Sequence, residues 1–355
     1  MKQPDQKAEP TDDKENPTKK LDRRTFLRLG TLGAISGSPC WGASVAQAAE
    51  TPKPTVSDPP SPIVDARFPC RIADGIWLIP DKRIFLVPNI GVIEGSKSVL
   101  VIDSGLTPGS GRSVLDAARS IAGKRELILT VTHAHPEHTF GAQAFKDEAR
   151  IYYNRLQRDY LVHSGQKLLE GFRKILPADR VHLIEDVRIT PADDAYDGSR
   201  STLDLGGRIV EFETWDTAHS PGDQIVKIPD AGVIFVGDLI EERMFPIVPF
   251  FPPLITAAEI DVHKWQTALS TIEAAAPKLI VPGHGNLGGI EIAGAVKNYL
   301  DNLREFVNSG GTGKTSGGSN GVSALRELVQ TRYPTWEHVE FIAPALRYFL
   351  ERADA

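Results

Sequence analysis

Thr132-His133-Ala134-His135-Pro136-Glu137-His138 places three imidazoles and a carboxylate within six consecutive residues, 133 to 138. The run just before it, Leu127-Ile128-Leu129-Thr130-Val131-Thr132, is apolar and β-rich. It predicts a buried strand that delivers the chain directly into His133. Alternation along an extended segment turns His133, His135 and Glu137 to one side. His138 would reach round as the chain enters a helix predicted over 140–147. Imidazole nitrogens and a carboxylate at this density suit a borderline cation such as Zn²⁺. A polar loop with surface histidines is the competing reading of this segment alone.

Three more segments weigh against that competitor. Asp216-Thr217-Ala218-His219-Ser220-Pro221-Gly222-Asp223 follows a predicted strand and sets His219 among small residues. Val233-Ile234-Phe235-Val236-Gly237-Asp238 is an apolar strand ending in an acid, which needs a partner if buried. Lys278-Leu279-Ile280-Val281-Pro282-Gly283-His284-Gly285 is another strand ending in a histidine, with flanking glycines that permit close backbone approach. Each is weak alone; four strand ends that each offer a ligand make a strong pattern. Asp103 closes a further apolar run, Val99 to Ile102.

In this order the residues resemble the metallo-β-lactamase superfamily over roughly residues 70–305, whose motif H-x-H-x-D-H is followed by a distant histidine, a strand-end aspartate and a last histidine. The resemblance implies an α+β fold, an αββα sandwich with a site where the loops of both sheets meet. It implies Zn²⁺, two per chain: His133, His135 and His219 on the first, Glu137, His138 and His284 on the second, with Asp238 bridging. Asp103 would buttress the ligand loops. Asp238 and Glu137 would be the catalytic carboxylates, orienting the nucleophile and handling its proton. Glu137 stands where the family has aspartate. The extra methylene moves the carboxylate by roughly 1–1.5 Å. Either the loop shifts, or the second metal binds more weakly, or Glu137 acts from outside the coordination shell.

Around these segments the pattern is of strands and helices in two rounds, as in a layered domain. Strands are predicted at 75–79, 84–87, 91–93, 98–102, 209–214, 224–228, 233–236 and 278–281. Helices are predicted at 112–122, 155–175, 261–275 and 290–307. The domain reading is a signal peptide over 1–48, a disordered arm over 49–69, the main domain over 70–307, a Gly/Ser-rich linker over 308–320 and C-terminal helices over 321–355. The tail helices, 322–331 and 336–353, carry apolar positions that predict docking on the main body.

The signal reading rests on Arg23-Arg24, a weakly apolar run broken by glycines and Pro39, and Ala46-Gln47-Ala48. Together they look like a twin-arginine signal cleaved near Ala48, hence a periplasmic protein with no stable membrane span. Removing its 8 Lys/Arg and 6 Asp/Glu from the chain's 40 and 46 leaves a net charge of −8. That acidic balance excludes nucleic acid as a bulk electrostatic partner. With Cys40 removed, Cys70 would have no intrachain disulfide and would pack as a small residue. Gly313-Lys314-Thr315 ends a phosphate-loop pattern whose first glycine would fall at Asn308, so it reads as linker. His163, His182, His263 and His338 lack ligand neighbours and read as surface or packing residues, and Tyr152, Tyr153 and Trp265 as core. The proline-broken Met244–Leu254 stretch could wall a cleft, touch a membrane or partner, or simply pack as a loop.

The function expected is a zinc hydrolase in which metal-bound hydroxide attacks a carbonyl of a small ester, thioester, lactone or β-lactam. Two alternatives stand beside it: an iron-dependent sulfur oxygenase, and a non-catalytic accessory protein for periplasmic redox enzymes. The fold implied cannot choose among substrates.

Overall fold

The computed structural model describes residues 59–249, 259–311 and 319–353. The predicted signal, its cleavage point, residues 250–254 of the Met244–Leu254 stretch and Gly313-Lys314-Thr315 lie outside those residues. Two β-sheets stack face to face, with helices on both outer surfaces.

The first sheet runs in the order β1 (Cys70–Ala73), β2 (Ile76–Ile79), β3 (Ile90–Glu94), β4 (Ser98–Ile102), β5 (Glu126–Thr130), β6 (Arg150–Asn154), β7 (Asp194–Tyr196). The second runs β12 (Leu279–Val281), β11 (Val233–Phe235), β10 (Gln224–Ile228), β9 (Ile209–Thr214), β8 (Arg200–Asp204). Helices α1 (Pro108–Ala122) and α3 (Arg155–Ile175) cover the first sheet. Helices α4 (Val262–Ala275), α5 (Ile290–Gly311), α6 (Ser319–Arg332) and α7 (Ile342–Ala353) cover the second. A short helix, α2 (Pro136–Thr139), follows the histidine-rich loop.

Strand β4 explains the layering. Its five residues are all buried, and side chains alternate across the sheet. Val99 and Val101 face α1, packing with Val114, Leu115 and Ala118. Leu100 and Ile102 face the other sheet, meeting Phe212, Val226 and Phe235. In β11 the same alternation sends Ile234 to the helices and Val233 and Phe235 to the sheet interface. An apolar run therefore marks a central strand buried on both faces, and the αββα sandwich follows.

The predicted strand over 84–87 is instead a turn. Lys82, Arg83 and Leu86 take left-handed backbone, at φ 52°, 54° and 62°, which interrupts a ladder. The helix predicted over 140–147 is a tighter 3₁₀ helix, Phe140–Phe145. The arm read as disordered over 49–69 gives the core Val64 and Ala66, and Val64 N donates to Ser110 Oγ at 3.1 Å. Cys70 opens β1 half-buried, and Cys40, the other cysteine, lies outside the described residues. Helix α5 runs through Gly311, four residues into the predicted linker. Tyr153 and Trp265 are buried as predicted, while Tyr152 is half-buried. The tail helices share the core of α4 and α5: Val329, Ile342, Leu346 and Phe349 pack with Tyr299, Leu300 and Leu303. Among the described residues no helix is long and apolar enough to cross a membrane.

Candidate metal centre

Two parallel strand pairs, one per sheet, end on the same side and set the site. In the first sheet Ile102 pairs with Thr130, so Asp103 emerges beside the start of the histidine loop. Asp103 sits at φ 70° with its N–H donating to Thr130 O at 2.9 Å. Its carboxylate accepts from Thr132 N at 2.7 Å and Thr132 Oγ1 at 2.9 Å, and lies 2.9 Å from His138 Nδ1. One buried carboxylate thus fixes both ends of the loop and leaves His138 Nε2 as the nitrogen for a ligand.

In the second sheet Phe235 pairs with Val281, so Asp238 and His284 each follow three residues beyond a paired position. Asp238 lies on a 3₁₀ turn, Gly237–Leu239. A side chain at Gly283 would collide with Asp238 Oδ1 and come within 2.7 Å of the Gly237 carbonyl carbon, so only glycine lets the two loops approach. His284 Nδ1 donates to Val87 O at 2.9 Å. The loop holding that carbonyl is itself anchored, since Asn89 Nδ2 donates to Gly285 O at 2.8 Å and Asp81 Oδ2 accepts from Gly285 N at 2.8 Å. His219 stands in a loop tightened by Asp223, whose carboxylate accepts from Ser220 N at 2.7 Å and Ser220 Oγ at 2.5 Å. Its ring meets the edge of Trp265 at 5.1 Å between centroids, and Trp265 Nε1 donates to Leu239 O at 2.9 Å.

These supports bring the predicted residues into two adjoining sets. One donor atom from each of His133, His135, His219 and Asp238 lies within 4.8 Å of the others. The same holds for Glu137, His138, Asp238 and His284. Asp238 belongs to both: Oδ2 is 3.6 Å from His133 Nε2, and Oδ1 is 3.3 Å from His138 Nε2 and 3.6 Å from His284 Nε2. Glu137 reaches the second set in spite of its longer side chain, because α2 starts at Pro136 and redirects the backbone there.

The atoms that converge are the sort a cation satisfies. His133 Nε2, His138 Nε2, both nitrogens of His219, Glu137 Oε2 and Asp238 Oδ1 are buried with no hydrogen-bond partner. Buried polar groups are otherwise almost always paired, and leaving one unpaired is costly. Burial also pushes His133 and His135 well below the ordinary histidine range, aided by neighbouring imidazoles, so both are neutral and able to donate to a metal. Burial opposes charge on Asp238, but His138, His284 and His133 outweigh it and hold the carboxyl well below its usual range. Glu137 goes the other way, lifted by burial to about 7. Aspartate, glutamate and histidine side chains so arranged are donors of the kind a divalent metal ion takes.

Residues 83–284 match the profile of the Metallo-beta-lactamase superfamily. The chain belongs to that superfamily. A linear primary-alkylsulfatase from Pseudomonas sp. (strain ATCC 19151) is 23% identical over 220 residues, 55% of this chain and 40% of the alkylsulfatase. The chain therefore spans well under half the length of that relative. A metallo-β-lactamase from Pontibacter korlensis superposes with a TM-score of 0.52 at 15% identity, over 66% of this chain and 99% of the other. The DIM-1 metallo-β-lactamase exposed to ceftazidime gives 0.50 at 16% identity, over 67% and 97%. At such identities the likeness to solved structures establishes the fold.

The remaining superfamily-site surroundings were less legible. His163 is exposed, its Nδ1 bonded to Asp159 O at 2.6 Å, and neither it, His182 nor His263 joins a donor set. His338, read as a surface or packing residue, packs its ring against Phe85 and also lines a cavity of about 20 Å³ beside the second set, with Phe85, Leu86, Glu137, Met244 and His284. Met244 and Ile247 make the Met244–Leu254 stretch a wall of that cavity as far as Pro249, beyond which it lies outside the described residues. Glu241, also there, is fully buried, and burial together with Asp238 raises its carboxyl well above the usual range. A Glu-Glu pair just after the strand-end aspartate was the one available signal for it.

Proposed function

We propose that the chain is a metal-dependent hydrolase of a small carbonyl substrate: an ester, thioester, lactone or β-lactam. The observation that carries this is the sharing of Asp238 between two adjoining, buried sets of unpaired donors. His133, His135 and His219 would hold one ion, and Glu137, His138 and His284 the other. Zinc is the ion this nitrogen-rich set favours. Bound there, divalent cations supply Lewis acidity and lower the pKa of water from ~15.7 to ~7.

The protein's own part is positioning. Asp103 fixes His138, and the Val87 carbonyl fixes His284, so both rings present Nε2 to the cleft. Asp238, kept as a carboxylate, faces both sets and orients the attacking water between them. Glu137 and Asp238 handle its proton, which passes on to the leaving group. Trp265 and the small residues around His219 keep solvent from the inner set. Five histidines divided between two sets favour two ions over the single iron of a sulfur oxygenase.

The similarity to an alkylsulfatase favours one second reading, hydrolysis of an alkyl sulfate ester by the same groups. We further propose export by the twin-arginine route to the periplasm with cleavage near Ala48, and a small molecule rather than nucleic acid as the partner. Zinc-loaded protein assayed on ester, thioester, lactone, β-lactam and alkyl sulfate substrates tests the reading. Turnover of any carbonyl substrate that stops on chelation supports it. Turnover of sulfate esters alone moves the assignment to the second reading, and inactivity at full zinc occupancy defeats both.

A further inference from the structure

Of eight non-glycine residues with left-handed backbone among those described, Leu86 and His338 line the cavity beside the second donor set, and Lys82, Arg83 and Arg243 lie in the turn and the segment that carry its walls. Such backbone is held only where its surroundings over-determine it, and it concentrates at ligand clamps. Here the surroundings are explicit. Arg83 Nη1 lies 2.9 Å from Glu242 Oε2 and Arg83 Nε 2.9 Å from Glu337 Oε1. Glu337 N donates to Arg243 O, and Phe245 N to Glu337 O, both at 3.0 Å. The Arg83 guanidinium therefore clasps the turn after β2 to the C-terminal segment across the cleft.

That clasp seats His338 over the second set. The His338 ring lies 5.0 Å from that of Phe85, and its Nδ1 is 3.3 Å from Glu340 Oε1, which leaves Nε2 for a ligand. Phe85 is a large apolar residue left 41% exposed at this mouth. The cavity they line measures about 20 Å³, room for roughly one water. Any organic substrate exceeds that volume, and the narrower it is, the smaller the movement of Phe85 and its neighbours that admits it.

Resting on the hydrolase reading above, we propose that His338 and Phe85 are the substrate-selecting residues of this cleft. His338 Nε2 donates to an oxygen of the substrate, and Phe85 limits its width. The substrate class is then a slender, acyclic ester or thioester rather than a fused-ring lactam.

The test is calorimetric binding of two thiolate probes, mercaptoacetate and the wider 2-mercapto-3-phenylpropionate, to zinc-loaded protein. Wild type should prefer the narrow probe by about tenfold, and Phe85→Ala should abolish the preference. His338→Ala should weaken mercaptoacetate by about five- to tenfold at unchanged zinc content, with partial recovery in His338→Gln. Equal probe affinities in wild type and His338→Ala overturn the proposal. So does loss of zinc from His338→Ala, which would mark a structural role, and so does a wild-type preference for the wide probe. A wild type that takes up no zinc overturns the hydrolase reading, and this inference with it. Full zinc uptake with unchanged probe binding in the variants overturns this inference alone.

Discussion

The two donor sets share Asp238 but differ in what surrounds them. The set of His133, His135 and His219 is closed in by the Trp265 ring and the loop tied by Asp223. The set of Glu137, His138 and His284 borders a cavity whose walls come from the turn after β2, the segment after β11 and the C-terminal extension. One side is a sealed grip; the other opens to whatever is bound. The difference implies that substitutions near the first set act through the metal, whereas those near the second act on the metal and the substrate separately.

Removing a ligand of the inner set should have the largest effect. His133→Ala or His219→Ala is expected to lose its metal and to lower hydrolysis by more than about 10³-fold, read by metal analysis alongside kcat/KM. Full activity at reduced metal content would break the comparison outright.

Glu137 gives a pH test on metal-free protein. Its carboxyl ionises at about 7 when folded against an ordinary 4.5, so the unfolded chain releases that proton first. The folded state binds more protons across this window, and its stability falls as pH rises. The loss should be on the order of 3 kcal/mol between pH 4.5 and pH 7, and Glu137→Gln should remove it. Denaturant unfolding of both proteins at the two pH values checks this; parallel curves would show that Glu137 is not buried as described.

Asp103 separates the sets more finely. Asp103→Asn should weaken metal at the second set by about 10- to 100-fold, because His138 loses its carboxylate partner, while binding at the first set changes less. The smallest effect expected is that of Glu137→Asp. Since Glu137 already reaches its partners, shortening it should weaken the second metal, by about tenfold, and leave the first untouched. Tighter binding would mean that the shorter carboxylate suits the site better.

The sealed set was the more legible of the two, for a physical reason. Its ligands lie on loops that follow strands, and strands such as β4 and β11, which lead to Asp103 and Asp238, declare themselves through unbroken apolar runs. Parallel pairing then brings their ends together without further information. The rim offered no such marker. Ile84-Phe85-Leu86-Val87 has a strand's composition, but the left-handed residues within and before it make a turn, and its apolar side chains line a cleft. His338 owes its position to an Arg83–Glu337 pair spanning 254 residues, which local pattern cannot carry. Strands β6 to β8 were missed for a different reason. Arg150–Asn154 runs straight into α3, and β8 is a half-exposed strand at the sheet edge with polar ends.

The most direct test of the central claim is a calorimetric zinc titration of the metal-free, folded protein. The shared-aspartate arrangement predicts two equivalents per chain in wild type, and about one in a His284→Ala variant, whose inner set is intact. Less than one equivalent bound by folded wild type, or identical isotherms for wild type and His133→Ala, would contradict it.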